Sequence, residues 1–190
     1  VADGRVKVLW VMATNPADSL PNADLVTRAL EVCPFVVVSD VVEKTDTTRF
    51  ADVLLPATAW GEKDGTVTNS ERRVSRQRAF LKAPGETKAD WWIVSEIARR
   101  MGFAEAFPYQ SPVDIYREHA RLSGYRNEGA RLFSLAAHAG IEAAEFDEIT
   151  PFQWPLVGTE KRQGEKRLFS DGGFPTPDGR ARLMPVMPPA

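Results

Sequence analysis

The fold is decided by one stretch near the start of the sequence, Val6-Lys7-Val8-Leu9-Trp10-Val11-Met12-Ala13-Thr14-Asn15-Pro16. Its first seven residues are mostly apolar and rich in β-branched side chains, which predicts a buried strand over 6–12. A second apolar run, Phe35 to Ser39, predicts another buried strand, and Asp40 follows it directly. Between the two runs, apolar residues at helical spacing predict a helix over 22–33. Apolar strands separated by helices favour a parallel sheet covered on both faces.

The same alternation continues towards the C-terminus. Thr45-Asp46-Thr47 predicts the cap of a short helix, and Asp52-Val53-Leu54-Leu55 predicts a third strand. The sequence therefore predicts an α/β fold over residues 1–149, with a Rossmann-like parallel sheet and flanking helices. From residue 150 onward Pro, Gly and charged residues dominate, which predicts an extended C-terminal arm over 150–190.

Residues 57–89 are predicted to form an irregular, polar loop. A loop of this length inside a compact domain is usually functional or disordered, and its charged and amide side chains favour function. Asp90 is then predicted to open a helix that ends near Gly102. The residues Ser111-Pro112-Val113-Asp114 have the composition of a capped helix start.

Two polar residues follow the first two predicted strands, and both are candidates for ligand binding. Asn15 offers an amide donor and acceptor to a phosphate or ribose, or else makes a plain Asn-Pro turn. Asp40 can accept two N–H bonds from one planar edge such as that of guanine, can accept ribose hydroxyls, or can cap a turn. Strand ends at a sheet crevice are where open α/β sheets bind ligands. The first strand lacks a G-x-G-x-x-G fingerprint, which counts against an ordinary NAD or FAD site.

Other polar residues have weaker signals from the sequence alone. Lys63 can reach a phosphate as a point charge, although most loop lysines are simply solvated. Asp90 is on composition better interpreted as a helix N-cap. Neither a nucleophile–base pair nor carboxylates at an obvious acid/base spacing are present in the sequence, so no catalytic residue is predicted.

Composition limits the function classes. The 190 residues carry a net charge of −2, which gives no general attraction to nucleic acid or to anionic membranes. The single cysteine, Cys33, and two histidines make a transition-metal site within the chain improbable, and this cysteine usage fits a reducing cytoplasm. The sequence begins at Val1 rather than Met, which suggests a piece of a longer chain.

Several motifs, in their order along the chain, resemble the third domain of the molybdopterin oxidoreductases. They are Asn15-Pro16-Ala17-Asp18-Ser19, Val38-Ser39-Asp40, Thr45-Asp46-Thr47, Ala51 to Ala57, Trp60 to Arg73 and Lys88 to Ile93. These enzymes hold molybdenum with two molybdopterin guanine dinucleotides. Three further motifs resemble the branch formed by the catalytic subunits of bacterial assimilatory nitrate reductases. They are Glu118 to Ser123, Pro151 to Pro155 and Phe174 to Ala181.

The resemblance covers the whole chain but only the middle of the family's enzymes. It implies that five residues contact a guanine dinucleotide of the cofactor: Asn15, Ser39, Asp40, Lys63 and Asp90. Asn69 and Arg73 are weaker candidates in the same loop. The iron–sulfur cluster, the molybdenum-ligating cysteine and the C-terminal barrel belong to other parts of the parent enzyme, so the resemblance implies no metal ligand in this chain.

The implied parent reaction is the two-electron reduction of nitrate to nitrite, with ferredoxin, flavodoxin or a NADH-linked subunit as electron donor. The remaining domains of the parent enzyme are the implied partners, and the chain alone is expected to be inactive. Two alternatives remain open at this point: the same domain of a related enzyme such as a formate dehydrogenase, and a stand-alone nucleotide-binding module.

Overall fold

A computed structural model describes residues 1–156 and 167–187 of the chain. Its N-terminal part is built on a parallel sheet of three strands: β1 (Leu9–Met12), β2 (Val36–Asp40) and β3 (Val53–Pro56). The strand order is β1-β2-β3, so β2 is central. The predicted α/β fold with a parallel sheet and flanking helices is thereby confirmed.

The strand β1 is shorter than the predicted span 6–12. Its pairing starts where Leu9 lies opposite Val36, the first residue of β2. Residues 6–8 precede this register and have no strand beside them within the described chain, and Val8 is 60% exposed. An apolar run alone therefore overestimates the strand, because strand length is set by the partner.

Helices α1 (Pro16–Ser19) and α2 (Ala23–Val32) connect β1 to β2. Leu30 of α2 packs with the buried face of the sheet in a core that also contains Val11, Ala17, Cys33, Val36 and Val38. Val36 and Val38 are among the most deeply buried side chains, as expected for a central strand with a helix against it. A 3₁₀ turn, Thr48–Phe50, leads into β3 and fulfils the short helix predicted there.

The strand β3 lies at the edge of the sheet and includes Pro56. Proline is tolerated there because an edge strand does not need every backbone N–H for pairing. Val53 and Leu54 are each 37% exposed, in contrast to the valines of β2. Beyond β3, Lys88 N donates to the carbonyl of Pro56, which brings the end of the 57–89 segment back beside the sheet.

The prediction that residues 57–89 are irregular is wrong for two stretches. β4 (Gly65–Thr68) and β5 (Arg73–Gln77) form an antiparallel hairpin, and β6 (Phe152–Gln153) pairs with β5. Val74 is the one buried apolar residue of the hairpin, so an alternating apolar pattern is missing. Backbone pairing and ion pairs of Arg76 with Asp64 and Asp147 hold these strands instead.

Three more helices follow the hairpin, and the last two of them pack against it. They are α3 (Asp90–Arg100), α4 (Pro112–Gly124) and α5 (Ala143–Asp147), with 3₁₀ turns at Trp60–Glu62, Ala104–Ala106 and Ala136–His138. The side chain of Asp114 accepts the backbone N–H of Ser111, which agrees with the predicted capped start of α4. A second core joins Val74 to Tyr116 and Ala120 of α4 and to Phe146 of α5. None of the described helices combines the length and apolarity needed to cross a membrane.

The predicted arm over 150–190 begins inside this packed region. Phe152 lies in β6, Trp154 packs against the second core, and Leu156 is buried. Residues 157–166 and 188–190 of the arm lie outside the described chain. The division into 1–149 and 150–190 stays a prediction.

Candidate functional site: a cavity at the strand ends

A cavity of about 310 Å³ lies at the carboxyl end of the parallel sheet. The ends of β1 and β2 meet there because Met12 pairs with Ser39 and Asp40 pairs with Pro56 of β3. The volume is at the lower end of the roughly 300–1,000 Å³ range of ligand pockets. It therefore has the size of a nucleobase or nucleoside site rather than of a whole dinucleotide. Its lining residues are Ala13, Thr14, Asn15, Asp40, Val41, Thr45, Ala57, Lys63 and Asp90.

Asn15 lines the cavity directly after β1. Its carboxamide oxygen accepts hydrogen bonds from the backbone N–H and the hydroxyl of Thr47, at 3.1 and 2.6 Å. Its backbone carbonyl accepts the N–H groups of Asp18 and Ser19, which closes the turn at Pro16. The side chain makes no capping bond to α1, so the plain-turn interpretation of Asn-Pro describes only its backbone.

Asp40 and Ser39 end β2 but their side chains have different surroundings. Asp40 lines the cavity, and one of its carboxylate oxygens accepts the N–H of Val42 at 3.1 Å. Ser39 is fully buried and its hydroxyl accepts the indole N–H of Trp10 at 2.8 Å. Neighbouring side chains of a strand point to opposite faces, so the hydroxyl of Ser39 faces away from the carboxylate of Asp40. Ser39 does not line the cavity, and its hydroxyl contacts Trp10 of β1.

Lys63 and Asp90 approach the cavity from the second half of the domain. Lys63 follows the 3₁₀ turn Trp60–Glu62, which is closed by a hydrogen bond from the N–H of Ala59 to the carboxylate of Glu62 at 2.8 Å. Asp90 is the first residue of α3. The ammonium of Lys63 lies 2.7 Å from Oδ2 of Asp90, and both side chains are about 30% exposed.

The other oxygen of Asp90 has unusual surroundings for a carboxylate. Oδ1 is buried, and no group in the described chain donates a hydrogen bond to it. A buried acceptor without a donor is costly, by about 1–3 kcal/mol or more for a charged group. An N–H or O–H donor that reached this atom would remove that cost.

The cavity therefore presents a mixed set of polar groups. Asp40 and Asp90 supply carboxylate acceptors, and Lys63 supplies an ammonium. Two carboxylates and one ammonium leave its side-chain charge negative, which disfavours an isolated phosphate inside it. A planar ligand edge that carries N–H donors fits this set better.

Four of the five predicted site residues line this one cavity, although they are up to 75 positions apart in the sequence, from Asn15 to Asp90. Sequence reasoning missed Thr45 in the lining and Thr47 behind it. The signal available was that Thr45-Asp46-Thr47 follows Asp40 closely, at the end of the same strand. The local pattern predicts a helix cap, and the family resemblance includes this motif without implying a ligand contact for either threonine.

The weaker candidates Asn69 and Arg73 lie elsewhere. Asn69 accepts the backbone N–H groups of Glu71 and Arg73 at the tip of the β4–β5 hairpin. Arg73 donates to the carboxylate of Glu71 at 2.8 Å. Neither residue lines the cavity, because the hairpin directs their side chains into its own turn.

Comparison with known proteins gives the class of this protein. The family model described as "Molybdopterin oxidoreductase" matches residues 1–100, and the chain belongs to this family. A nitrate reductase of Klebsiella oxytoca is 47% identical over 188 residues, which are 99% of this chain and 21% of that protein. A nitrate reductase of Shewanella frigidimarina is 43% identical over 97% of this chain and 20% of its own length.

A more distant relative has a different name. The F420-dependent formate dehydrogenase subunit alpha of Methanocaldococcus jannaschii is 35% identical over 96% of this chain and 25% of its own length. Among solved structures, acetylene hydratase from Pelobacter acetylenicus matches with a TM-score of 0.61 and 21% identity, over 92% of this chain and 21% of that one. That likeness concerns the fold alone. The chain spans about a fifth to a quarter of the length of these relatives.

Proposed function

We propose that this chain is the domain of a molybdenum-dependent nitrate reductase that holds one guanine dinucleotide end of the cofactor. The family membership supports a molybdopterin enzyme, and the relatives at 47% and 43% identity are named nitrate reductases. The reaction of the whole enzyme would be the two-electron reduction of nitrate to nitrite in the cytoplasm. The parent enzyme's other domains, and a ferredoxin, flavodoxin or NADH-linked electron donor, would be its partners.

The observation that carries this proposal is the buried oxygen Oδ1 of Asp90, an acceptor without a donor in the described chain. Guanine has three N–H hydrogens along one edge, at N1 and N2, and ribose adds hydroxyl donors. The carboxylates of Asp40 and Asp90 can accept such hydrogens, and charge-assisted bonds of this kind are strong. Adenine has no N1–H donor, so an acidic cavity favours guanine over adenine.

The donors of the cavity suit the remaining atoms of the nucleotide. Asn15 and Lys63 carry N–H groups that can reach the guanine carbonyl or a phosphate oxygen at the mouth of the cavity. Ser39 is proposed to act through its position beneath the site rather than by side-chain contact. These residues fit the dinucleotide end of the cofactor by the chemistry of their donor and acceptor groups.

When bound, molybdenum and its dithiolene ligands supply the redox chemistry, and the protein binds and orients the cofactor. The part played by this chain is to fix one end of that cofactor. We expect the chain alone to have no nitrate reductase activity, since no metal ligand is predicted in it.

Calorimetric titration of GDP into the chain tests the proposal, with ATP and NAD as competing nucleotides. We expect GDP to bind selectively and Asp40→Ala to weaken it. Asp46→Ala is the matched control, because Asp46 is exposed and does not line the cavity. No binding of GDP would contradict a preformed guanine site, and equal binding of NAD would favour a generic nucleotide-binding module.

A second candidate is the same domain of a formate dehydrogenase, which the relative at 35% identity supports. Both candidates use the same cofactor end, so GDP binding does not separate them. Assay of the whole enzyme with nitrate or formate as substrate does. Turnover of formate without turnover of nitrate would replace the first candidate by the second.

A further inference from the structure

Asn15 and Thr47 are 32 residues apart in the sequence and are joined by two hydrogen bonds. The hydroxyl of Thr47 lies 2.6 Å from Oδ1 of Asn15, and the backbone N of Thr47 lies 3.1 Å from the same atom. Thr47 is fully buried, so its position is set by the surrounding core. An amide oxygen has two lone pairs, and both are engaged here.

The orientation of the Asn15 carboxamide follows from these contacts. A backbone N–H can only donate, so the atom facing Thr47 N must be the amide oxygen and not the amide nitrogen. The nitrogen Nδ2 then lies on the other side of the amide group. No hydrogen-bond partner of Nδ2 exists within the part of the chain that the structure describes. Asn15 therefore offers the cavity two donors and no free acceptor.

Thr47 also takes over the capping of α1. Its hydroxyl oxygen accepts the N–H of Ala17 at 3.1 Å, in the first turn of that helix. An asparagine that precedes a helix ordinarily accepts such an N–H with its own side chain. Because Thr47 accepts this bond, the hydroxyl proton of Thr47 is left to point at Asn15 and the amide of Asn15 is released from capping.

We infer that Thr47 is a positioning residue of the cavity, which orients Asn15 so that only its N–H₂ group faces a ligand. The inference rests on the proposed function and deepens it, because it states that Asn15 is the donor and the ligand the acceptor in their contact. The ligand atom that meets Asn15 is an acceptor, such as a base carbonyl or a phosphate oxygen. A hydroxyl or N–H donor of the ligand is not recognised there.

The first test concerns the ligand-free full chain labelled with ¹⁵N. The heteronuclear NOE of a side-chain amide reports its motion on the picosecond-to-nanosecond timescale. We expect a rigid amide for Asn15 and a mobile one for Asn22, which is exposed and makes no side-chain capping bond. Thr47→Val should make the Asn15 amide more mobile, and Thr47→Ser should keep it rigid. An Asn15 amide as mobile as that of Asn22 in the unsubstituted chain would overturn the inference, even if Thr47→Val fails to fold.

The second test is a double-mutant cycle on GDP binding. Thr47→Val should weaken binding about tenfold, as for the loss of one oriented hydrogen bond, and Thr47→Ser should restore it. If Thr47 acts through Asn15, Asn15→Ala and the double variant Asn15→Ala/Thr47→Val bind GDP equally weakly. Losses that add in the double variant would overturn the inference and assign Thr47 a merely structural role.

The two tests separate this inference from the proposed function. Failure of the unsubstituted chain to bind GDP contradicts the guanine site, whereas the amide motion of Asn15 still decides whether Thr47 orients it. Thermal unfolding of each variant shows whether a weaker affinity reflects partial unfolding. An affinity loss in Thr47→Val that tracks unfolding alone counts against the inference.

Discussion

The ammonium of Lys63 lies 2.7 Å from Oδ2 of Asp90, and the other oxygen of the same carboxylate is buried at the cavity without a donor in the described chain. The two residues are 27 positions apart and reach the site from different elements, a 3₁₀ turn and the first turn of α3. Lys63 balances the charge of Asp90 on one side only. Asp90 thus lines the cavity and keeps one carboxylate oxygen without a donor in the described chain.

Replacement of Asp90 tests this arrangement. Asp90→Asn keeps the size of the side chain but removes its charge, and we expect GDP binding to weaken about tenfold or more, since hydrogen bonds to charged groups contribute about 1.5–3 kcal/mol. The stability of the fold should change by no more than about 1 kcal/mol, because the ion pair is partly exposed. Isothermal titration and urea denaturation measure the two effects.

Asp24→Asn is the matched control for this substitution. Asp24 is also an acidic residue in the first turn of a helix, α2, and it is exposed outside the cavity. Asp24→Asn removes the same favourable interaction between a carboxylate and the helix dipole as Asp90→Asn does. Unchanged GDP affinity in Asp90→Asn would contradict the role of Asp90 as a ligand acceptor.

Lys63 should govern the salt dependence of nucleotide binding. An ammonium attracts the anionic phosphates of GDP, and such attraction is screened by salt. We expect Lys63→Gln to lower the affinity for GDP more than that for guanosine, and to flatten the dependence of GDP affinity on NaCl concentration. Titrations at two or more salt concentrations measure this. Lys82→Gln, at an exposed position outside the cavity lining, should behave like the unsubstituted chain; equal salt dependence in Lys63→Gln would exclude the phosphate contact.

A Val→Ala substitution should lower the free energy of unfolding by different amounts in β2 and in β3. Val38 of β2 is fully buried, and Val38→Ala should destabilise the fold by about 2–3 kcal/mol through lost apolar burial and a residual cavity. Val53 of β3 is 37% exposed, and Val53→Ala should cost less than about 1 kcal/mol. Urea denaturation of the chain measures both. Similar losses of stability in the two variants would mean that Val53 is buried in solution.

His138 should make stability depend on pH. Its ring nitrogen Nδ1 lies 2.7 Å from the hydroxyl of Tyr116, and its ring packs edge-on against Phe152. Burial lowers the pKa of His138 below its ordinary value of 6.5, against the opposing charge of Glu145. Burial also raises the pKa of Tyr116, so its hydroxyl keeps its proton. Once His138 is protonated, its Nδ1 carries a hydrogen and can no longer accept a hydrogen bond from the hydroxyl of Tyr116.

The sign of the pH effect follows from the lowered pKa. Between this pKa and 6.5 the unfolded chain binds the proton more readily, so the free energy of unfolding decreases as the pH falls below 6.5. Above pH 6.5 the neutral His138 makes its full contribution to the free energy of unfolding. Below it, that free energy falls by at most about 1.4 kcal/mol per pH unit for one proton. Urea denaturation at pH 7.5, 6.5 and 5.5 measures it. His138→Gln should reduce the slope and His119→Gln, at an exposed position, should keep it; the opposite result would assign the effect to another group.

The amino-acid sequence alone determined the elements that depend on residues close together in the chain. The apolar, β-branched run at 35–39 predicts the central strand β2, which spans Val36–Asp40. Val36, Val38 and Ser39 are buried there, whereas Phe35 before the strand is 41% exposed. Asp114 caps α4 from the third position after Ser111, which is a contact between near neighbours. The position of Asn15 and Asp40 at adjacent strand ends also follows from the order of strands and helices, since parallel strands end at the same edge.

Tertiary structure alone decided the contacts between distant residues. The β4–β5 hairpin exists because its strands pair with each other and with β6, although Val74 is its one buried apolar residue. The ion pair of Lys63 with Asp90 and the orientation of Asn15 by Thr47 depend on packing that no local pattern encodes. Local periodicity reports which face of an element is buried, whereas the polarity of a site depends on which distant groups the fold brings within hydrogen-bond distance.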